Sequence, residues 1–221
     1  MKFSYEYINR VFLCDGESVS TLVVENKPLF VKLITDIYSQ TQGLKGKAVL
    51  AREENLLDFS KYAELITCFV PFDINRKTLI NKILSALEYR AQGPDFYERT
   101  TILLNEIEKY ADELALDFPC DLNYNKLSIS TVLKSIGVEV HDDSTSLTER
   151  LINYMELVRE FDRERLFITA GLRGYVGDSE IARFVKTVKG HKFNLLMIES
   201  VTYPFFEGED RYTVDEDLCE F

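Results

Sequence analysis

At 221 residues, 46% of them apolar and 29% charged, the chain is long enough for one large domain or for a compact domain carrying a second lobe, and its composition is that of an ordinary globular protein. Twenty-six basic against 37 acidic residues leave a net charge of −11, so any binding of nucleic acid has to come from a segregated basic surface. Four cysteines without a CxxC pair, and only two histidines, leave little material for a Cys/His zinc site or a His-activated nucleophile.

Residues 2–8 (KFSYEYI) alternate partly and predict a strand rather than the apolar core of a signal peptide. No stretch is apolar enough over sufficient length to span a bilayer. With Cys14, Cys68, Cys120 and Cys219 scattered as free thiols, this predicts a cytoplasmic protein. Residues 20–25 (STLVVE) predict a second, β-branched strand. Asn26 then offers an N-cap and Lys27-Pro28 a helix start. Leu29, Phe30, Leu33, Ile34 and Ile37 form the apolar face, and Gly43 ends the helix. Residues 47–52 suit a strand, and another is expected near 65–70, stopped by Pro71.

From Asp73 the character changes. Asn75 is the expected cap of a helix to about Ala91, broken by Gly93-Pro94, and a second helix is expected from about Asp95 to Asp117. Two helices of this length form a hairpin lobe. DLNYNKLSIS (121–130) reads as a loop entering a short strand, 131–136 as a short helix ended by Gly137, and 138–140 as extended. HDDSTS (141–146) is a polar loop in which Ser144 or Ser146 caps a helix over 147–161. LFITA (166–170) predicts a buried strand, GLRGYVG (171–177) a glycine-rich loop, and Asp178 or Ser179 the cap of a helix to about Lys189. FNLLMIE (193–199) predicts another buried strand and 212–214 an edge strand.

Short, continuously apolar strands followed by helices predict an α/β fold with a mostly parallel sheet. Because the strands lie at both ends of the chain, the expected head is 1–72 plus 163–221, with an α-helical lobe inserted at 73–162.

Three constellations carry possible chemistry. RFVKTVKGHK (183–192) holds Arg183, Lys186, Lys189 and Lys192 without an acidic residue, and helical spacing puts the first three one turn apart. Lys45 and Lys47 form a smaller cluster, and Arg173 sits in the glycine-rich loop at the carboxyl end of a predicted strand, where α/β ligand sites lie. Residues 207–220, by contrast, are strongly acidic, so charge is segregated along the chain. These cations would contact phosphates, which positions a duplex without reading its sequence. A solvated helix face is the alternative reading of 183–192. Secondly, Asp121, Asn123 and Asn125 have the D-x-N-x-N spacing of the first half of an EF-hand loop, and Glu113 and Asp117 can supply further charge for calcium. The EF-hand match stops there, because Lys126 replaces the turn glycine and Val132 the bidentate glutamate. Thirdly, Gly171, Gly174 and Gly177 give GxxGxxG before a helix, but the Walker A pattern GxxxxGK[ST] is absent, both here and at 43–47. Asp215, Glu216 and Asp217 are consecutive and cannot all face one metal from a strand. His141 is expected to be a loop residue, and His191 either touches phosphate or faces solvent.

FDIN with the long helix after it (72–90), DLNYNKLSISTVLKSIGVEV (121–140), LFITAGLRGYVGDSEI (166–181), LLMIES (195–200) and YTVDEDLCEF (212–221) occur in this order. Together they resemble the small adaptation protein family peculiar to type II-A CRISPR loci. The resemblance implies a P-loop-NTPase-like head without a Walker A motif and with an inserted helical lobe. It implies a homotetrameric ring that holds double-stranded DNA, preferably by its ends, in a central hole, stabilised by calcium and without enzymatic activity. It also implies partners, the integrase complex and RNA-guided nuclease of the same locus, and a role in spacer acquisition. The family carries carboxylates where this chain has Asn123, Asn125 and Lys126, so calcium is expected to bind more weakly here. A metal-dependent nuclease or degenerate nucleotide hydrolase, and a protein-binding adaptor with an acidic surface, are the competing readings.

Overall fold

The computed structural model describes residues 1–116, 118–120 and 122–221. In chain order the elements are β1 (Lys2–Tyr5), β2 (Ile8–Leu13), β3 (Val19–Val24), α1 (Lys27–Thr41), β4 (Ala48–Arg52), β5 (Asn55–Leu57), α2 (Phe59–Tyr62), β6 (Ala63–Ile66), α3 (Lys77–Ala91), α4 (Tyr97–Ala115), α5 (Ile129–Ile136), α6 (Leu147–Phe161), β7 (Leu166–Ala170), α7 (Asp178–Gly190), β8 (Asn194–Glu199) and β9 (Glu209–Val214). A 3-10 turn, Leu172–Gly174, links β7 to α7.

The chain divides into a unit of residues 1–72 and 143–221 and a unit of residues 73–142. In the first, five strands form a parallel sheet in the order β6-β7-β8-β3-β9. The interior strand β3, between β8 and β9, is buried along its whole length, which its sequence VSTLVV permits because both faces are covered. Leu22, Val24, Leu166, Ile168, Leu196 and Ile198 pack on one side with Leu33 and Ile37 of α1 and with Phe3, Phe12 and Leu50. The last three belong to a separate antiparallel sheet, β2-β1-β4-β5. The other face is covered by α6 and α7, through Leu151, Tyr154, Met155 and Val158 and through Ile181, Phe184, Val185 and Val188.

Several expectations are corrected. The strand at 2–8 is two strands, because Glu6-Tyr7 forms a turn. Residues 48–52 pair with β1 and β5 in the antiparallel sheet, not in the parallel one. The strand near 65–70 lies earlier, at β6. The helix 147–161, expected in the lobe, belongs to the first unit, because Leu151, Tyr154 and Met155 are buried there. Ser146 caps it by accepting from the Glu149 amide at 3.2 Å.

In the second unit, α3 packs against α5. Asn75 does not cap α3. Its side chain instead holds Val140, accepting from the amide at 2.7 Å and donating to the carbonyl at 3.2 Å. Among the described residues of 122–130 no strand forms: α5 starts at Ile129, with Ser128 as its cap. No helix of the described residues is long and apolar enough to cross a membrane.

Candidate nucleic-acid interface

The amphipathicity of α7 decides which of its side chains are available. Ile181, Phe184, Val185 and Val188 face the sheet at i, i+3, i+4 and i+7, which turns Arg183 and Lys186 to the opposite side and leaves Lys189 on the flank. Arg183 and Lys186 are exposed and Lys189 half-buried. None of the three forms a salt bridge among the described residues. They span about 9 Å along the helix axis, the length of two to three successive nucleotides of one strand. A groove of about 490 Å³ runs beside them, lined by Ala182, Arg183, Val185, Lys186, Lys189 and Glu207. The acidic residues at the start of α7 have partners elsewhere: Asp178 accepts from Arg173, and Glu180 accepts from the Thr148 hydroxyl at 2.6 Å.

The other predicted cations do not extend this row. Lys192 is exposed but pairs with Glu17 at 3.0 Å. A side chain at Gly16 would meet the Lys192 backbone at 2.7 Å, so the loop that carries Glu17 lies directly against it. Lys45 and Lys47 are exposed in the segment leading into β4, on the side of the parallel sheet opposite α7. Lys47 pairs with Glu6 at 2.7 Å, and that hydrogen bond pushes its pKa up.

Arg173 is a correction. Expected to contact phosphate, it is 4% exposed and its charge is already used. Its Nη2 donates to Asp178 Oδ1 at 2.9 Å and to the Pro204 carbonyl at 3.0 Å, and its guanidinium lies over the rings of Tyr203 and Phe206. The carboxylates beneath it were not anticipated. Glu199, at the end of β8, is buried and accepts from the Arg173 amide at 3.2 Å, and burial pushes its carboxyl up to about 7. Glu209, on β9, is buried too and pairs with Arg211 at 2.6 Å. A lone glutamate closing the apolar run LLMIE was the available signal.

In the glycine-rich loop, Gly171 adopts a left-handed conformation with φ of 78° and Gly177 immediately precedes α7. At the other strand end, β3 passes into α1 through Glu25 and Asn26. Asn26 caps the helix by accepting from the Leu29 amide at 3.0 Å, and Glu25 accepts from the Thr202 hydroxyl at 2.8 Å.

Of the calcium candidates, Glu113, Asn123 and Asn125 are exposed, while Asp117 and Asp121 lie outside the described residues. Among the described residues, no group of three or more His, Cys, Asp or Glu side chains is placed to hold a metal ion. Asp215 accepts from the amides of Asp217 and Cys219 in its own turn, at 2.9 and 2.8 Å. His191 stacks on Phe193 and lies 3.0 Å from Glu156.

Two comparisons bear on this surface. Residues 38–218 match the family described as CRISPR-associated protein (Cas_Csn2). The chain is also 18% identical over 203 residues to the CRISPR-associated protein Csn2 of Enterococcus faecalis, an alignment covering 91% of this chain and 90% of that protein.

Proposed function

Because the chain belongs to the CRISPR-associated Csn2 family, the type II-A family its sequence resembles, we propose that it binds double-stranded DNA through the basic face of α7 during spacer acquisition. The observation that carries this reading is the row of Arg183, Lys186 and Lys189, without an ion pair among the described residues, on a protein of net charge −11. Cations without protein partners are the ones that can displace counterions from phosphate.

The proposed assembly is a homotetrameric ring that places four such rows around one duplex and favours free ends. Self-association is supported by α4, which has no buried residue. Its Leu103, Ile107, Tyr110 and Leu114 are 39–62% exposed and recur at the alternating four- and three-residue spacing of a coiled-coil seam. Calcium remains part of the proposal as a structural ion, with Glu113, Asp117, Asp121, Asn123 and Asn125 as its candidate ligands. The integrase complex and RNA-guided nuclease of the same locus are the proposed partners.

The proposed role is non-catalytic. The head is read as a P-loop-NTPase-like sheet that has lost its phosphate loop. The turn from β3 into α1 contains no glycine, and it presents the Glu25 carboxylate where phosphate would need donors. Replacing Lys186 and Lys189 together by Glu is expected to abolish the shift of a short duplex in a gel while leaving the solution mass unchanged. Unaltered affinity would remove α7 as the interface. Cleavage of labelled duplex with magnesium or manganese, or phosphate release from ATP, would overturn the non-catalytic reading.

A further inference from the structure

We propose that Arg173 and Glu199 are positioning residues for the basic helix, forming a buried latch whose proton occupancy sets how firmly α7 is seated and so how tightly duplex is held. This rests on the reading of α7 as the duplex-binding face.

The latch joins four elements. Glu199 ends β8, Glu209 begins β9, Arg173 lies in the 3-10 turn after β7, and Asp178 is the first residue of α7. Arg173 reaches the helix through its 2.9 Å bond to Asp178. Its Nη1 stands 4.0 Å from Glu209 Oε1, too far for a hydrogen bond, and both Arg173 Nε and Glu209 Oε1 are buried without a hydrogen-bond partner. The guanidinium is therefore held toward the helix while an unfilled acceptor waits on the strand side. Unsatisfied buried groups of this kind are costly and make a second arrangement competitive.

Proton count decides between the two. With Glu199 neutral, the carboxylates of Glu209 and Asp178 balance the guanidinia of Arg173 and Arg211. With Glu199 ionised, the cluster carries one excess negative charge, and it falls on a side chain that is 1% exposed. Arg173 is then drawn toward Glu199 and Glu209, at the expense of Asp178. That releases the first turn of α7 from its anchor. Burial is the main cause of the raised Glu199 pKa, opposed by the Arg173 and Leu172 amides and by the Arg173 charge, and reinforced by Glu209. Tyr203, whose ring stacks on Arg173, has its hydroxyl pushed up by burial and by Glu199, so it stays neutral throughout. Seating thus weakens as pH rises through neutrality.

The test measures the affinity of a fluorescein-labelled duplex from pH 6 to 8 at constant salt, with thermal unfolding followed over the same range. Glu199→Gln keeps an oxygen acceptor for the Arg173 amide but cannot ionise. Asp178→Asn, at an exposed position, removes the helix side of the latch. The parent's affinity is expected to fall about fivefold over this range. Glu199→Gln is expected to hold the pH 6 affinity throughout, and Asp178→Asn to show the weakened affinity at both ends. If Glu199→Gln follows the parent's pH profile, the titrating group is elsewhere and the latch is wrong. If no variant binds duplex at any pH, the duplex reading fails separately. The latch then stands or falls on unfolding: the parent's midpoint declines from pH 6 to 8 while that of Glu199→Gln does not, and parallel midpoints overturn it.

Discussion

Glu199 and Arg173 show how one residue's placement redistributes charge that composition reports only as a sum. The native chain holds the Glu199 proton to pH about 7, whereas the unfolded chain releases it near 4.5. Between those values the native state binds more protons, so this group's contribution to stability falls as pH rises, and above pH 7 the loss is complete. The magnitude is on the order of 3 kcal/mol. Arg173 works in the opposite sense, because it compensates buried carboxylates whenever they are charged. Arg173→Met keeps much of the side chain's bulk but leaves buried Glu199 without the neighbouring positive charge, while Glu209 keeps Arg211. It is expected to destabilise the protein by about 3–5 kcal/mol at pH 8. The loss should shrink at pH 5.5, where Glu199 is neutral. Urea unfolding at the two pH values measures both, and an equal loss at each would separate Arg173 from Glu199.

At the scale of elements, helices with side-chain caps were the most legible. Asn26 with Pro28 marked the start of α1, and Ser146 was one of two candidate caps for α6. Ser146→Ala is expected to cost about 1 kcal/mol, because the Glu149 amide loses its acceptor, and a shift in the denaturant midpoint at unchanged slope would show it. The buried strands β3, β7 and β8 were equally plain as short apolar runs. What stayed hidden has a physical cause in each case. The Glu6-Tyr7 turn contains neither glycine nor proline, so β1 and β2 read as one strand and the antiparallel sheet went unseen. Asn75 has the chemistry of a cap, yet it spends both ends of its amide on Val140, 65 residues away, a pairing no local pattern encodes. The basic row on α7 was legible because helical periodicity fixes which side chains face out. The burial of Arg173 was not, because it depends on carboxylates from β8 and β9 that are remote in sequence.

For the whole molecule the question is how an anionic chain binds a polyanion, and salt dependence answers it by counting. Each phosphate neutralised contributes about −0.9 to the slope of log affinity against log salt. One chain presenting Arg183, Lys186 and Lys189 gives a slope of about −3, whereas four chains facing one duplex give roughly −11. The ion pairs Lys192–Glu17 and Lys47–Glu6 already satisfy those lysines, so they add little to either figure. Net charge acts oppositely, since the acidic surface repels DNA at low salt and flattens the curve where the Debye length is long. The measurement therefore belongs above about 0.1 M salt, where local cations dominate. Repeating it with and without calcium, alongside light scattering, connects the slope to the assembly. A steep slope appearing together with tetramer mass means that four rows converge on the duplex. A slope near −3 at tetramer mass means that the rows point away from a common channel, and the ring then cannot be what holds the DNA.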